Sequence, residues 1–337
     1  MNRRFWSWLL IGACLFTTTA CENDKQSAGG EGSQEGRLQK VTLMLNWFPE
    51  AEHGGFYAAK LHGIYEKYGL DVTIEPGGPN APVAQELLTG RVQFAIGNAD
   101  DVLVFREQEV PVVALMAPIQ DTPRCILVHP DSGAKTLSDL KGLTLQAGNG
   151  RPYLEYMKAK GLLEGVKVVP YSGVPNFVAN RNSAMQGYNF SEPLLASQSG
   201  VDAKLLMVSE IGFNPYSSCL LATEDYIAEN QDLVARTVVA SREGWKKYFE
   251  SPDETNAAIL KENKHGMTPE ALEFGVRELR PLCITDSVPA DEVGMMTAER
   301  WGTLVDQFRE LGLLEESKVS AADVFTTDFI NRTSATD

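Results

Sequence analysis

The sequence is poor in the groups that most often announce a reaction. It has five cysteines and four histidines in 337 residues. Cys14 and Cys21 fall near the start and Cys125, Cys219 and Cys283 stand apart. There is no CxxC pair and no metal-like spacing, which excludes a disulfide framework and a zinc module, and no metal or other cofactor is expected. No G-x-S-x-G, H-E-x-x-H or P-loop pattern occurs, so an enzyme is not expected. Positive charge is scarce as well: 30 basic against 45 acidic residues give −15, which excludes a protein that tracks nucleic-acid phosphates. No apolar run reaches the roughly twenty residues that span a bilayer, and no fixed-period repeat is visible. What remains is ordinary globular composition, 43% hydrophobic and 22% charged. The length exceeds what one core comfortably supports, so two compact units are expected.

Residues 1–20 read as an export signal. Arg3 and Arg4 form a positive n-region, and residues 5–16 are apolar or small. Thr18-Thr19-Ala20-Cys21 is similar to a bacterial lipobox, with Thr18 where Leu is usual; Cys21 is the expected lipidation site, with Cys14 or simple secretion as the alternatives. Residues 22–36 (ENDKQSAGGEGSQEG) have no apolar periodicity and read as a flexible tether. The protein is therefore expected outside the cytoplasm, in the periplasm or at the cell surface, held to the membrane by its lipid.

From residue 39 the text alternates between strand-like and helix-like segments. Strands are expected at 41–45, 71–74, 94–96, 112–116, 126–128, 144–147, 166–169 and 203–208. Helices are expected at 54–68, 82–89, 101–107, 137–140, 152–160 and 176–186. The final third is helical, with Trp245 and Trp301 on apolar core stripes. This βαβ rhythm predicts an α/β protein with doubly wound, mostly parallel sheets, whose ligands sit beyond the carboxyl ends of strands.

The loop after the first strand holds Asn46, Trp47, Glu50, Glu52 and His53, followed by Gly54-Gly55, which permit close backbone approach. Trp47 offers a flat face to a heteroaromatic ring, Glu52 an acceptor for an amine, and His53 a donor or acceptor. Asn98 and Asp100 follow a strand and open a helix, where capping alone would explain Asp100. Asn149 and Arg151 lie in a Gly-Asn-Gly-Arg loop before a helix, a setting that suits an anion.

These segments carry a resemblance. LNWFPEAEHGGFYAAKLHGIYEKYGLDV, ELLTGRVQFAIGNAD, PVVALMAPIQ, ILVHPDSGAKTLSDLKGLTL, QGYNFSEPLLA and ATEDYIAENQDLVARTVVASREGWKKYF resemble, in order and spacing, the thiamine-pyrimidine/nitrate/sulfonate family of ABC-transporter solute-binding proteins. The resemblance implies a two-lobed type II periplasmic binding protein, with lobe 1 at 37–123 plus 218–337 and lobe 2 at 124–217. Two crossover strands would join the lobes. It implies a monomer that closes on a small ligand and hands it to an ABC permease and ATPase. It adds Gln120, near the lobe junction, and Tyr188 and Glu192, in the second lobe, as ligand contacts. A thiamine pyrimidine precursor is the favoured ligand. Glu50 stands where the pyrimidine-binding branch often has Asn, so riboflavin, nitrate, sulfonate or another small organic anion stay open; a pyrimidine-synthesising enzyme like that of the family's eukaryotic branch is the least favoured alternative, since its cysteine-rich motif has no counterpart here. Adjacent crossovers would also leave open a bridge between Cys125 and Cys219.

Overall fold

The computed structural model describes residues 38–315 and 318–330. The expected export signal, the Cys21 lipidation site and the tether lie outside them. No described helix is long and apolar enough to cross a membrane.

Ten strands run in chain order: β1 (Gln39–Met44), β2 (Leu70–Glu75), β3 (Phe94–Gly97), β4 (Val112–Met116), β5 (Arg124–Val128), β6 (Thr144–Ala147), β7 (Lys167–Pro170), β8 (Ser183–Tyr188), β9 (Lys204–Met207) and β10 (Cys219–Thr223). They form two five-stranded sheets, β2-β1-β3-β10-β4 and β7-β6-β8-β5-β9. This is the two-sheet α/β architecture that the alternating text implies. Each sheet is mixed: β10 runs antiparallel to β3 and β4, and β5 antiparallel to β8 and β9. These are the strands by which the chain enters the second sheet and returns to the first.

The two connections run side by side. Ile119 and Ser217 pair across them, Ser217 N–H donating to the Ile119 carbonyl at 3.1 Å. Arg300, on the helix Ala298–Glu310, clamps both: it donates to the carbonyls of Gln120 at 2.6 Å and Asn214 at 2.9 Å, with its guanidinium 3.9 Å from the Tyr216 ring centre. The side chain of Gln120 is spent here too, donating to the carbonyls of Ala117 and Met295 at 2.7 and 3.0 Å. Its expected ligand contact therefore finds its amide N–H groups already committed to backbone.

One expected helix is replaced. The 176–186 segment resolves into a short helix, Val174–Ala179, and the central strand β8. Ser-Ala-Met-Gln-Gly-Tyr lacks the β-branched residues that mark strands; its slot between β6 and β5 decides the conformation. The 54–68 helix breaks at Gly63, whose φ of 68° is left-handed.

Gly54 and Gly55 do allow close approach, but to a helix. A Cβ on Gly55 would lie 2.1 Å from the Trp245 ring, and one on Gly54 1.9 Å from the Tyr248 ring. The helix Gly54–Leu61 thereby seats on Gln231–Glu250, closing the apolar cluster around Trp245 and Phe56. Trp301 is likewise fully buried, in the cluster that backs both sheets; burying such a side chain contributes on the order of 3 kcal/mol. Cys125, Cys219 and Cys283 are buried free thiols. Cys125 lies on β5 and Cys219 on β10, in different sheets, and Cys125 Sγ faces the Gly187 carbonyl at 3.5 Å. Both are free thiols, so no bridge joins the two connections in this structure.

Candidate functional site

The polar residues gather where the two sheets face each other, at the carboxyl ends of β1, β3, β6 and β8. Because β5 and β10 run antiparallel, their first residues arrive at this same edge. Cys219 pairs with Gly97, which sets Ser218 level with Asn98; Arg124 pairs with Tyr188. Neighbouring strands thus build the site from residues far apart in sequence.

From the first sheet come Asn46, Glu50, Glu52 and His53. His53 is fully buried, and desolvation pushes its imidazole down to about 3, so the ring is neutral. Its partners fix the tautomer: Glu50 N–H lies 3.4 Å from Nδ1, which accepts, and Nε2 donates to Asn46 Oδ1 at 3.0 Å. Glu52 is 1% exposed and accepts from Ser218 Oγ at 3.3 Å. Burial first, then the Glu192 charge, push Glu52 up to about 7, against the Ser218 hydrogen bond and the Arg124 charge. Burial first, then the neighbouring charges of Glu52 and Glu192, push the Glu50 carboxyl well above the usual carboxylate range.

Asn98 is the N-cap of the helix Ala99–Glu107. Its own N–H donates to Asp101 Oδ2 at 3.1 Å, its side-chain oxygen accepts from Ser218 N–H at 3.2 Å, and its side-chain nitrogen donates to the Tyr188 hydroxyl at 3.2 Å. Capping therefore falls to Asn98 and Asp101. It does not account for Asp100, whose carboxyl burial pushes up to about 6.

The second sheet supplies Arg124, Tyr153, Tyr188 and Glu192. Arg124 is 6% exposed; it donates to the Tyr188 hydroxyl at 3.2 Å and lies over the rings of Tyr153 and Tyr188 at 4.8 and 5.2 Å. Burial opposes its charge, but Tyr188, Asp100, Tyr153 and Asp101 outweigh that and hold it firmly protonated. Glu192 accepts from Tyr188 N–H at 2.7 Å, and burial raises its carboxyl. A Cβ on Gly187 would lie 2.9 Å from the Glu192 Cβ, so only glycine lets Glu192 come this close. At the rim Arg151 pairs with Asp101 at 3.4 Å, from one sheet's helix to the other's.

Seven of the eleven sequence candidates thus converge: Asn46, Glu52, His53, Asn98, Asp100, Tyr188 and Glu192, with Arg151 at the rim. Asn149 is exposed. Trp47 is 40% exposed, its ring 5.3 Å from that of Phe48, which in turn stacks on His265. Arg124, Ser218, Glu50 and Tyr153 were not singled out as contacts by the sequence. Ser218 has a second mark, a left-handed φ of 52° in a fully buried non-glycine residue, a backbone cost that sites tend to carry. A groove of about 390 Å³ lined by Pro193, Leu194, Ser197, Glu270, Phe274 and Arg277 opens nearby. It collects surface charge and none of the buried groups above, so the chemistry belongs to the interior cluster.

Paired connections between two mixed five-stranded sheets, with a buried polar constellation at their facing edges, define the periplasmic-binding-protein fold. The periplasmic aliphatic sulphonate binding protein SsuA from Escherichia coli matches it with a TM-score of 0.64 at 16% identity, over 84% of this chain and 91% of that one. The class that this fold defines is that of the periplasmic binding proteins. Residues 50–255 match the family described as NMT1/THI5 like, and the chain belongs to that family. Among its relatives are the riboflavin-binding protein RibY of Chloroflexus aurantiacus, 24% identical across 96% of this chain and 95% of that protein. The formylaminopyrimidine-binding protein of Halalkalibacterium halodurans is 26% identical, across 88% of this chain and 92% of its own length.

Proposed function

We propose that this protein captures a small nitrogen heteroaromatic, a thiamine pyrimidine precursor foremost, and delivers it to an ABC permease and ATPase without transforming it. The observation that carries this reading is the charge balance of the buried site. Among the described residues, the buried carboxyls Glu50, Glu52 and Asp100 and the half-buried Glu192 share the site with a single buried cation, Arg124, while half-buried Asp101 pairs with Arg151 at the rim. A nitrate or sulfonate site calls for converging cations and helix N–H groups, whereas carboxyls suit ring N–H and amino donors. A formylaminopyrimidine-binding relative supports the pyrimidine; the riboflavin-binding relative, matched over nearly its whole length, favours a flavin as the second reading.

In this reading Trp47 flanks the bound ring, and closure draws on the contacts between the sheets. Export and a lipid on Cys21 keep the protein beside its permease. A thermal-shift panel of an aminopyrimidine, riboflavin, nitrate and an alkanesulfonate tests the ligand, since a molecule that binds only the folded state raises the melting temperature. Stabilisation by an aminopyrimidine is expected; stabilisation by the anions alone overturns the reading. Cys21→Ser is expected to move the protein from the membrane to the soluble fraction, and retention at the membrane overturns the anchor.

A further inference from the structure

Among the described residues, Asp100 has both oxygens of a buried carboxyl without a partner. It is 1% exposed. A buried charge in that condition is costly unless something pairs with it. Helix capping does not use it, because Asn98 and Asp101 hold those positions. Its field runs toward the opposite sheet, where Arg124 and Arg151 act on it. Arg124 shows the complementary deficit. Its Nη2 serves the Tyr188 hydroxyl, while its Nε is buried without a partner among the described residues. The two residues form no ion pair with each other. Asn98, two residues before Asp100, and Arg124 both donate to the Tyr188 hydroxyl, which brings a buried acceptor pair of one sheet into the neighbourhood of a buried donor of the other.

Resting on the heteroaromatic reading above, we infer that Asp100 and Arg124 form one subsite that reads a donor–acceptor edge of the ligand. A ring N–H or amino group donates to the Asp100 carboxylate, and an adjacent carbonyl or ring nitrogen accepts from Arg124 Nε. The imide edge of a flavin and the amino–ring-nitrogen edge of a 4-aminopyrimidine both carry this pattern; a sulfonate or nitrate lacks the donor. Such an edge satisfies both orphaned groups at once. It also ties the first sheet to the second, so specificity and closure share one contact.

The test crosses ligand and protein changes by calorimetry on the full chain. The probes are riboflavin and 3-methylriboflavin, and 4-amino-5-hydroxymethyl-2-methylpyrimidine and its 4-dimethylamino analogue. The methylated member of each pair loses its donor. In the wild type the parent ring should bind at least about tenfold more tightly than its methylated counterpart, as hydrogen bonds to charged groups warrant. In Asp100→Asn that ratio should collapse toward one, and Arg124→Lys, which keeps the charge but removes Nε, should weaken the parent ring. The ligand-free Asp100→Asn protein should melt at or above the wild-type temperature, which a merely structural carboxylate would not allow. If a parent ring binds and its ratio is the same in Asp100→Asn, this subsite is wrong and the heteroaromatic reading stands. If neither parent ring binds the wild type, both fall.

Discussion

Replacing Glu52 by Gln should stabilise the ligand-free protein, by an amount that grows as pH rises above 4.5 and is complete above about 7. Glu52 is buried and its carboxyl is raised from 4.5 to about 7. Between those values the folded state holds a proton that the unfolded chain has released, so wild-type stability falls as pH rises through that window. Below pH 4.5 both states are protonated and the penalty vanishes. Above 7 it is complete, and a shift of this size amounts to about 3 kcal/mol. The glutamine amide keeps an acceptor for Ser218 Oγ, now 3.3 Å from the carboxylate, and carries no charge. It also relieves Glu50, which the Glu52 charge pushes up. With roughly 2.1 cal/mol/K of unfolding entropy per residue, about 3 kcal/mol corresponds to a melting temperature higher by about 5 °C at pH 8. Scanning calorimetry of both proteins from pH 5 to pH 8 is the assay. The gain should shrink steadily toward pH 5. A gain equal at both ends of the range, or a loss at pH 8, would refute the reasoning and return Glu52 to an ordinary ionised carboxylate.

Trp245 and Trp301 are fully buried while Trp47 is 40% exposed, so Trp47→Ala should abolish a ligand-induced change in tryptophan emission; a change that survives moves the ring away from Trp47. Gly55→Ala places a methyl 2.1 Å from the Trp245 ring, which should cost at least about 1–3 kcal/mol in urea unfolding, and an unchanged midpoint would contradict the close helix contact. Arg300→Leu leaves two connection carbonyls, Gln120 and Asn214, without their shared donor; a loss of about 2 kcal/mol is expected, and a neutral result would show that water replaces the clamp at no cost.

Much of this molecule was legible in the chain. The alternation of short apolar runs with helical spacings marked two α/β sheets because burial on a sheet face and on a helix stripe leaves periods of two and 3.6 in the text. The loop after β1 and the turn after β3 were legible as site material, since parallel strands end where ligands bind. Trp245 and Trp301 were legible as core for the same periodic reason.

What tertiary structure alone decided is the rest of the site. β8 carries no strand-forming signature and is a strand because β5 and β6 leave it an edge on each side. Arg124 and Ser218 stand at the beginnings of strands, where a search beyond strand ends does not look. They reach the site because β5 and β10 run against their neighbours and so start where the others finish. The unpaired state of Asp100 is likewise invisible in sequence, where capping alone would explain it. Local pattern fixes which residues are buried and how they repeat; which buried polar groups find partners depends on strand direction and register, and those are set by contacts between residues far apart in the chain.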